Sequence, residues 1–209
     1  MLSIKNLREN YSSGKLLESE LPPHPIDLFN AWFRLALDKN IPEPNAMVLG
    51  TVNANGHPRS RVVLLKDYSM DGFVFFTNYL SDKGQEIDLH PNICLNFLWL
   101  EIEKQVRIEG IASKLSEHES TDYFNSRPDG SKIGAIISEQ SKPIGSREEL
   151  DQRLHKFDLS SPLIKPSHWG GYCITPTLIE FWQGRDNRLH DRIEYTLENK
   201  NWKYQRLQP

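Results

Sequence analysis

Apolar residues recur at helical spacing over Ile26–Lys39 (IDLFNAWFRLALDK), which predicts an amphipathic helix closed by Ile41–Pro44. The period then shortens to two. Ala46–Val52 (AMVLGTV), Arg59–Lys66 (RSRVVLLK) and Phe73–Thr77 (FVFFT) read as strands separated by the turn signals Asn53–Gly56 and Asp71-Gly72. Short turns between consecutive strands predict an antiparallel meander. Ser81–Leu89 reads as a short helix, and Ile93–Trp99 and Lys104–Ser113 as two further strands. Ser116–Ser126 is helical up to Pro128, a second short helix is expected over Ser131–Ser138, and another over Arg147–Phe157. Trp169–Thr175, Leu178–Gln183, Asp191–Glu198 and Trp202–Arg206 close the chain as four strands. The sum is a mainly β protein with peripheral helices. Many short strands that each bury one face form a barrel or a sandwich, and propensity does not choose between the two.

Composition narrows the function classes. With 25 Lys plus Arg against 28 Asp plus Glu, the formal charge of −3 argues against a non-specific nucleic-acid binder. Local basic pockets remain compatible with that balance. The two cysteines, Cys94 and Cys173, form no CxxC and sit in apolar runs, so they read as buried free thiols. No apolar run of about 18 residues predicts a membrane span, and the N-terminus lacks an apolar leader core. A cytoplasmic location is the corresponding expectation. The seven histidines show no metal-ligand spacing, so no metal is expected. Phosphate-binding glycine loops of the GxGxxG and P-loop kinds are absent.

The chemistry-bearing residues are candidates for holding anions. Arg61 and Lys66 bracket Val62, Val63, Leu64 and Leu65; their odd spacing on a strand points them to opposite faces, where they serve two anions or merely solvate the strand ends. Tyr123 and Arg127, four apart, share a helix face, and Ser131 is placed to cap the helix after Pro128. A hydroxyl, a guanidinium and a fresh helix N-terminus together suit a phosphate; an ordinary capped helix end is the competing reading. Arg188, His190 and Arg192, if extended, crowd two guanidiniums and an imidazole on one face, an arrangement that calls for an anion. Trp182 offers a flat surface to an aromatic ring or simply fills the core. Gln105, Gln140 and Ser141 are neutral donors and acceptors that alone signify nothing.

In order, RVVLLK at Arg61–Lys66, YFNSRPDGSKIGAIISEQS at Tyr123–Ser141, HWGGY at His168–Tyr172, IEFWQGRDNRLHDR at Ile179–Arg192 and the closing RLQP at Arg206–Pro209 resemble the pyridoxine/pyridoxamine 5′-phosphate oxidase family over about Leu7–Leu207. The resemblance implies an FMN-binding split β-barrel over residues 1–209, with 1–20 a mobile segment and 168–209 a dimerisation region. It implies a homodimer with flavin mononucleotide (FMN) at the subunit interface. Flavin contacts would fall on Arg61, Val62, Val63, Leu64, Leu65, Lys66, Phe76, Thr77, Lys83, Gln105, Gln140, Ser141, Trp182 and Arg192. Lys66, Tyr123, Arg127 and Ser131 would hold the substrate phosphate. Arg188 and His190 would act at the substrate ring, and Arg8 and Tyr11 would belong to a segment that closes over it. The implied reaction moves a hydride from C4′ of pyridoxamine or pyridoxine 5′-phosphate to the flavin, with dioxygen as final acceptor and hydrogen peroxide as product. From the amine, ammonia is released as well.

The chain departs from this pattern at Ser81-Asp82-Lys83, where the family commonly has Ser-Arg-Lys. Asp82 removes a cation expected to face the flavin phosphate, or else serves the helix start. Phe76 stands in place of a common tyrosine, and Lys142–Lys165 is short for the family. Two other readings compete: a non-catalytic flavin- or haem-binding split barrel, and a flavin oxidase of another aromatic metabolite. The intact set of Lys66, Tyr123, Arg127, Ser131, Arg188 and His190 favours an oxidase of a phosphorylated substrate.

Overall fold

A computed structural model describes residues 7, 10–12 and 14–209. Its elements are α1 (Pro25–Asp38), β1 (Ala46–Val52), β2 (Pro58–Leu64), β3 (Asp67–Ser69), β4 (Gly72–Asn78), α2 (Asp82–Leu89), β5 (Asn92–Trp99), β6 (Lys104–Lys114), α3 (Glu117–Ser126), α4 (Asp129–Ile137), α5 (Arg147–His155), β7 (Trp169–Gln183), β8 (Asp191–Glu198) and β9 (Asn201–Leu207). The hydrogen-bonded order is β2-β1-β5-β6-β7-β4-β3, with β8 on β7 and β9 on β8. Two compact units divide the chain: a first unit of residues 1–49, 94–110 and 176–209, and a second of 50–93 and 111–175.

In the first unit, His24 caps α1 by accepting the Ile26 N–H at 3.2 Å, and Pro25 opens the helix where no N–H is required. Its buried face carries Ile26, Phe29, Trp32 and Ala36. Phe29 meets Phe97 of β5 at 5.1 Å, and Trp32 meets Phe181 of β7 edge-on at 5.2 Å. In the second unit, β4 buries most of its length and pairs Phe73–Asn78 against Trp169–Ile174. Gly72 opens this strand at φ 145°, where a Cβ would lie 2.1 Å from the Ile174 carbonyl oxygen; only glycine fits. Ser116 and Glu119 form a reciprocal capping box on α3.

Most expected elements form within two residues of their predicted bounds, but the expected meander does not, because β2 and β4 are not neighbours in the hydrogen-bonded order and β1, β5, β6 and β7 lie between them; four further expectations need correction. The two strands expected around Pro176 are one, β7. Pro176 falls between the stretch paired with β4 and the stretch paired with β8, so its missing N–H costs neither ladder a bond. The helix expected from Ser131 starts at Asp129, with Pro128 as its cap; Ser131 therefore lies inside the first turn, its N–H bonded to the Pro128 carbonyl at 2.9 Å. Arg127 is not on the face of α3 with Tyr123. It is the extended residue that ends that helix, at φ −74° and ψ 152°, because a residue before proline avoids the α region. Cys94 is exposed rather than buried, on the outward register of β5, and Cys173 is half-buried.

Candidate functional site

A cavity of about 580 Å³ opens in the second unit, and all of its lining residues belong to that unit. Val62, Val63, Leu64 and Lys66 enter from β2 and the link after it, Phe76 and Thr77 from β4, and Lys83 from α2. Tyr123, Arg127, Ser131, Gln140 and Trp169 add to the polar and aromatic lining, with Asn78 and Ser138. Phe76 and Tyr123 stack at 3.8 Å between ring centres, and Trp169 lies nearly parallel to Phe76 at 5.5 Å. The Arg127 guanidinium sits over the Trp169 ring, 4.6 Å from its centre. Among the described residues, Arg127 Nη1 is the buried side-chain polar atom without a hydrogen-bond partner.

The electrostatics of this cavity favour an anion. Lys83 Nζ donates to the hydroxyls of Thr77 at 3.3 Å and Ser81 at 3.4 Å. Burial, and then the charge of Arg61, hold the Lys83 pKa below the ordinary lysine value. Burial likewise lowers that of Arg127. Neither cation has a carboxylate hydrogen-bonded to it, an arrangement that suits an oxyanion. The Thr77 hydroxyl donates to Gln140 Oε1 at 3.4 Å, which leaves the Gln140 amide nitrogen for another acceptor.

Three expected residues of this region do not line the cavity. Arg61 donates to the Thr51 hydroxyl and pairs with buried Glu86 at 3.0 Å, so its charge already has a partner. Leu65 is buried at 4% exposure. Ser141 is exposed, with a left-handed backbone at φ 71°. Arg61 is paired with Glu86, whereas Lys66 lines the cavity. The alternation itself stops short of Lys66, however, because β2 ends at Leu64.

The remaining candidates belong to the first unit. Arg188, His190 and Arg192 do not lie on one strand face: Asn187 and Arg188 are left-handed at φ 55° and 62°, and β8 starts only at Asp191. The turn takes Arg188 out of the strand register that an extended chain would give it, although its charge still reaches His190. His190 packs on Trp182 at 4.7 Å, and Tyr11 meets both rings edge-on at 5.6 and 5.7 Å. A Cβ on Gly184 would lie 2.8 Å from the Tyr11 ring, so glycine is required for that approach. The Arg185 N–H donates to His190 Nδ1 at 3.1 Å, so Nδ1 carries no proton. Burial, and then the Arg188 charge, lower the His190 pKa and reinforce the neutral ring. Gln105 lies half-buried on β6, and Arg8 lies outside the described residues.

Arg192 is held by Glu180 at 2.7 Å, and Arg107 reaches the same carboxylate at 2.7 Å. Asp191 accepts from Arg185 at 2.9 Å, Arg206 at 2.7 Å and the Leu16 N–H at 3.1 Å. Sequence reasoning missed Glu180, Asp191 and Trp169 as parts of the sites. A carboxylate inside the apolar run IEFW was a signal for Glu180; Trp169 carried no signal beyond its place in HWGGY.

Among the described residues, no group of His, Cys, Asp and Glu is arranged to hold a metal ion, and no helix is long and apolar enough to cross a membrane.

Residues 34–160 match the family model for pyridoxamine 5′-phosphate oxidase, and residues 169–209 match that for the pyridoxine 5′-phosphate oxidase C-terminal dimerisation region. The chain is similar to a pyridoxine/pyridoxamine 5′-phosphate oxidase of Flavobacterium johnsoniae, 50% identical over 212 residues that cover 99% of each chain. It is 49% identical to one of Polynucleobacter asymbioticus over 211 residues, 100% of each chain. Its fold resembles PhzG from Burkholderia lata, solved with tetrahydrophenazine-1-carboxylic acid (TM-score 0.89, 29% identity, 95% of this chain and 100% of that one). It also resembles an FMN-binding protein of Nostoc punctiforme related to pyridoxamine 5′-phosphate oxidase (TM-score 0.73, 16% identity, 91% and 100% covered). The fold is thus the mainly β split barrel with peripheral helices.

Proposed function

The chain belongs to the pyridoxamine 5′-phosphate oxidase family, and from that premise we propose that it oxidises pyridoxamine and pyridoxine 5′-phosphate to pyridoxal 5′-phosphate with FMN as cofactor. Bound FMN supplies a two-electron acceptor that dioxygen regenerates with release of hydrogen peroxide, the amine substrate also yielding ammonia. The observation that carries the reading is Arg127: a half-buried guanidinium whose buried Nη1 has no hydrogen-bond partner, in a cavity that also presents Lys66, Tyr123 and Ser131. These four residues bind the substrate phosphate. Two cations and two hydroxyls match the charge and acceptor count of a phosphate monoester more closely than those of a single carboxylate.

The flavin contacts proposed are Arg61, Val62 to Lys66, Phe76, Thr77, Lys83, Gln105, Gln140, Ser141, Trp182 and Arg192. The residues present fit such a group in two respects. Lys83 is a desolvated cation tied only to hydroxyls, and Gln140 keeps an amide donor free for a carbonyl or ring nitrogen. Arg61 and Arg192 enter with carboxylate partners already in place, which fixes their positions and weakens their pull on a phosphate. Arg188 and His190 act at the substrate ring. With Nδ1 engaged by a backbone N–H, neutral His190 offers Nε2–H as a donor, and Arg188 stabilises charge that develops at the ring. Arg8 and Tyr11 contribute from the N-terminal segment, 1–20. We further propose a homodimer assembled through residues 168–209, with FMN at the subunit interface of one 1–209 split-barrel domain, acting in the cytoplasm.

Purified protein is expected to be yellow with a flavin spectrum, and to release hydrogen peroxide when pyridoxamine 5′-phosphate is added in air. A colourless preparation that stays inert after reconstitution with FMN refutes the proposal. Arg188→Ala is expected to lower kcat/KM at least tenfold, about 1.4 kcal/mol. A change of less than about threefold removes Arg188 from that role.

A further inference from the structure

We propose that Trp169 is a positioning residue for the phosphate seat: its indole face holds the Arg127 guanidinium in place by stacking, so that the guanidinium's hydrogen-bonding edge stays available to the substrate's phosphate. The inference rests on the reading of the cavity as a phosphate site.

Three observations carry it. First, the Arg127 guanidinium lies 4.6 Å from the Trp169 ring centre and 5.7 Å from that of Phe124, and among the described residues no carboxylate pairs with it. Its backbone is anchored through the Arg127 N–H to the Phe124 carbonyl at 3.2 Å, so the aromatic faces are what orient its side chain. A ring face fixes the plane of a guanidinium without occupying its N–H donors, whereas a carboxylate would occupy them.

Second, Trp169 is itself immobilised. It is 6% exposed, edge-on to Phe124 at 5.2 Å and parallel to Phe76 at 5.5 Å. Its N–H donates to the Pro166 carbonyl at 3.0 Å, and its carbonyl accepts from Lys165 Nζ at 2.9 Å. The Lys165 side chain is 2% exposed and pairs with Glu117 at 3.0 Å. A buried lysine is therefore committed to fastening the backbone of one tryptophan.

Third, the platform is selective in what it leaves open. Arg127 Nη1 is buried yet has no partner, as expected of a guanidinium presented to a ligand rather than to the protein.

The test is a double-mutant cycle in the holoenzyme with Trp169→Phe, Arg127→Lys and the pair. The readouts are the dissociation constant of inorganic phosphate by calorimetry, and the KM and kcat for pyridoxamine 5′-phosphate. A phenylalanine in place of Trp169 keeps a smaller and weaker π face, and a lysine in place of Arg127 keeps the charge but loses the planar fork. Trp169→Phe is expected to raise the phosphate Kd and the KM about three- to tenfold, with the loss falling on KM more than on kcat. In the Arg127→Lys background it is expected to add less than about twofold, because the residue acts through the guanidinium. An unchanged phosphate Kd in Trp169→Phe overturns the inference. So does an equal loss in both backgrounds, which would mark Trp169 as packing alone. If melting shows Trp169→Phe to be unfolded, Trp169→Tyr takes its place in the same cycle. A wild-type protein that binds phosphate but leaves pyridoxamine 5′-phosphate unoxidised overturns the oxidase reading instead, and the phosphate cycle still decides on Trp169.

Discussion

In the first unit, Arg192 and Arg107 both close on the Glu180 carboxylate at 2.7 Å, and Arg206 and Arg185 close on Asp191 at 2.7 and 2.9 Å. In the cavity of the second unit, Arg127 lies against an indole ring, Lys83 against two hydroxyls, and Lys66 makes no ion pair among the described residues. Both regions are rich in cations, and they differ in what faces those cations. Where a buried carboxylate answers the charge, the arginine fastens strands and the chain terminus. Where aromatic faces and hydroxyls surround it, the cation keeps its hydrogen-bonding capacity for a ligand. Counting basic residues in a motif therefore does not tell these two arrangements apart; whether a carboxylate is hydrogen-bonded to each cation does.

Substitutions should fall on stability in one region and on binding in the other. The largest effect is expected at Glu180→Gln, which leaves Arg107 and Arg192 half-answered around a side chain 5% exposed. A loss of about 2–3 kcal/mol, some 5–10 °C in Tm, should appear in thermal unfolding. An unchanged Tm would mean that this network is not a fastening. Arg127→Ala should do the reverse. Its Tm should move by no more than about 2 °C, while kcat/KM for pyridoxamine 5′-phosphate falls about a hundredfold, close to 2.7 kcal/mol. A large Tm loss there would erase the distinction.

Smaller effects sharpen it. Asp82 pairs with half-exposed Arg59 at 2.9 Å, and Ser81, not Asp82, caps α2. Asp82 is thus a carboxylate one residue from Lys83, and Asp82→Arg is expected to tighten FMN about three- to tenfold in a fluorescence titration of the apoprotein. An unchanged Kd would show that Asp82 does not weaken the flavin site.

Lys104 is the first unit's exception: it is bonded to Gln183 and lies over the Trp32 ring at 4.2 Å, and burial lowers its pKa to about 8 from 10.5. Between these two values the unfolded chain holds a proton that the folded chain has released. Stability therefore rises with pH across this window, and the gain is lost as pH falls through about 8. Relative to Lys104→Met, the wild type should gain on the order of 1 kcal/mol between pH 8 and 10 in denaturant unfolding. Parallel curves would show that this ammonium is not strained.

The sequence displayed the fold more readily than the site, for reasons visible at particular residues. Periods of 3.6 and 2 mark α1, β1 and β5 because each has one clear buried face. The continuity of β7 through Pro176 depends on which strand pairs with which half, and that is set by distant residues. The turn at Asn187 and Arg188 uses positive φ without glycine, so nothing local announced that Arg188, His190 and Arg192 would not alternate on a strand. The cavity residues Lys66, Tyr123, Arg127 and Ser131 were recognisable as a set through the family resemblance. Their electrostatic distinction from Arg61 and Arg192 was not, because Glu86 and Glu180 meet those arginines only in the folded chain.

If the second unit's cations are left open for a phosphate group, kcat/KM for pyridoxamine 5′-phosphate should far exceed that for unphosphorylated pyridoxamine, each read as peroxide release. A preference of roughly a thousandfold or more for the phosphate ester is expected, about 4 kcal/mol from charge-assisted hydrogen bonds. Equal values for the two substrates would overturn the proposed phosphate seat.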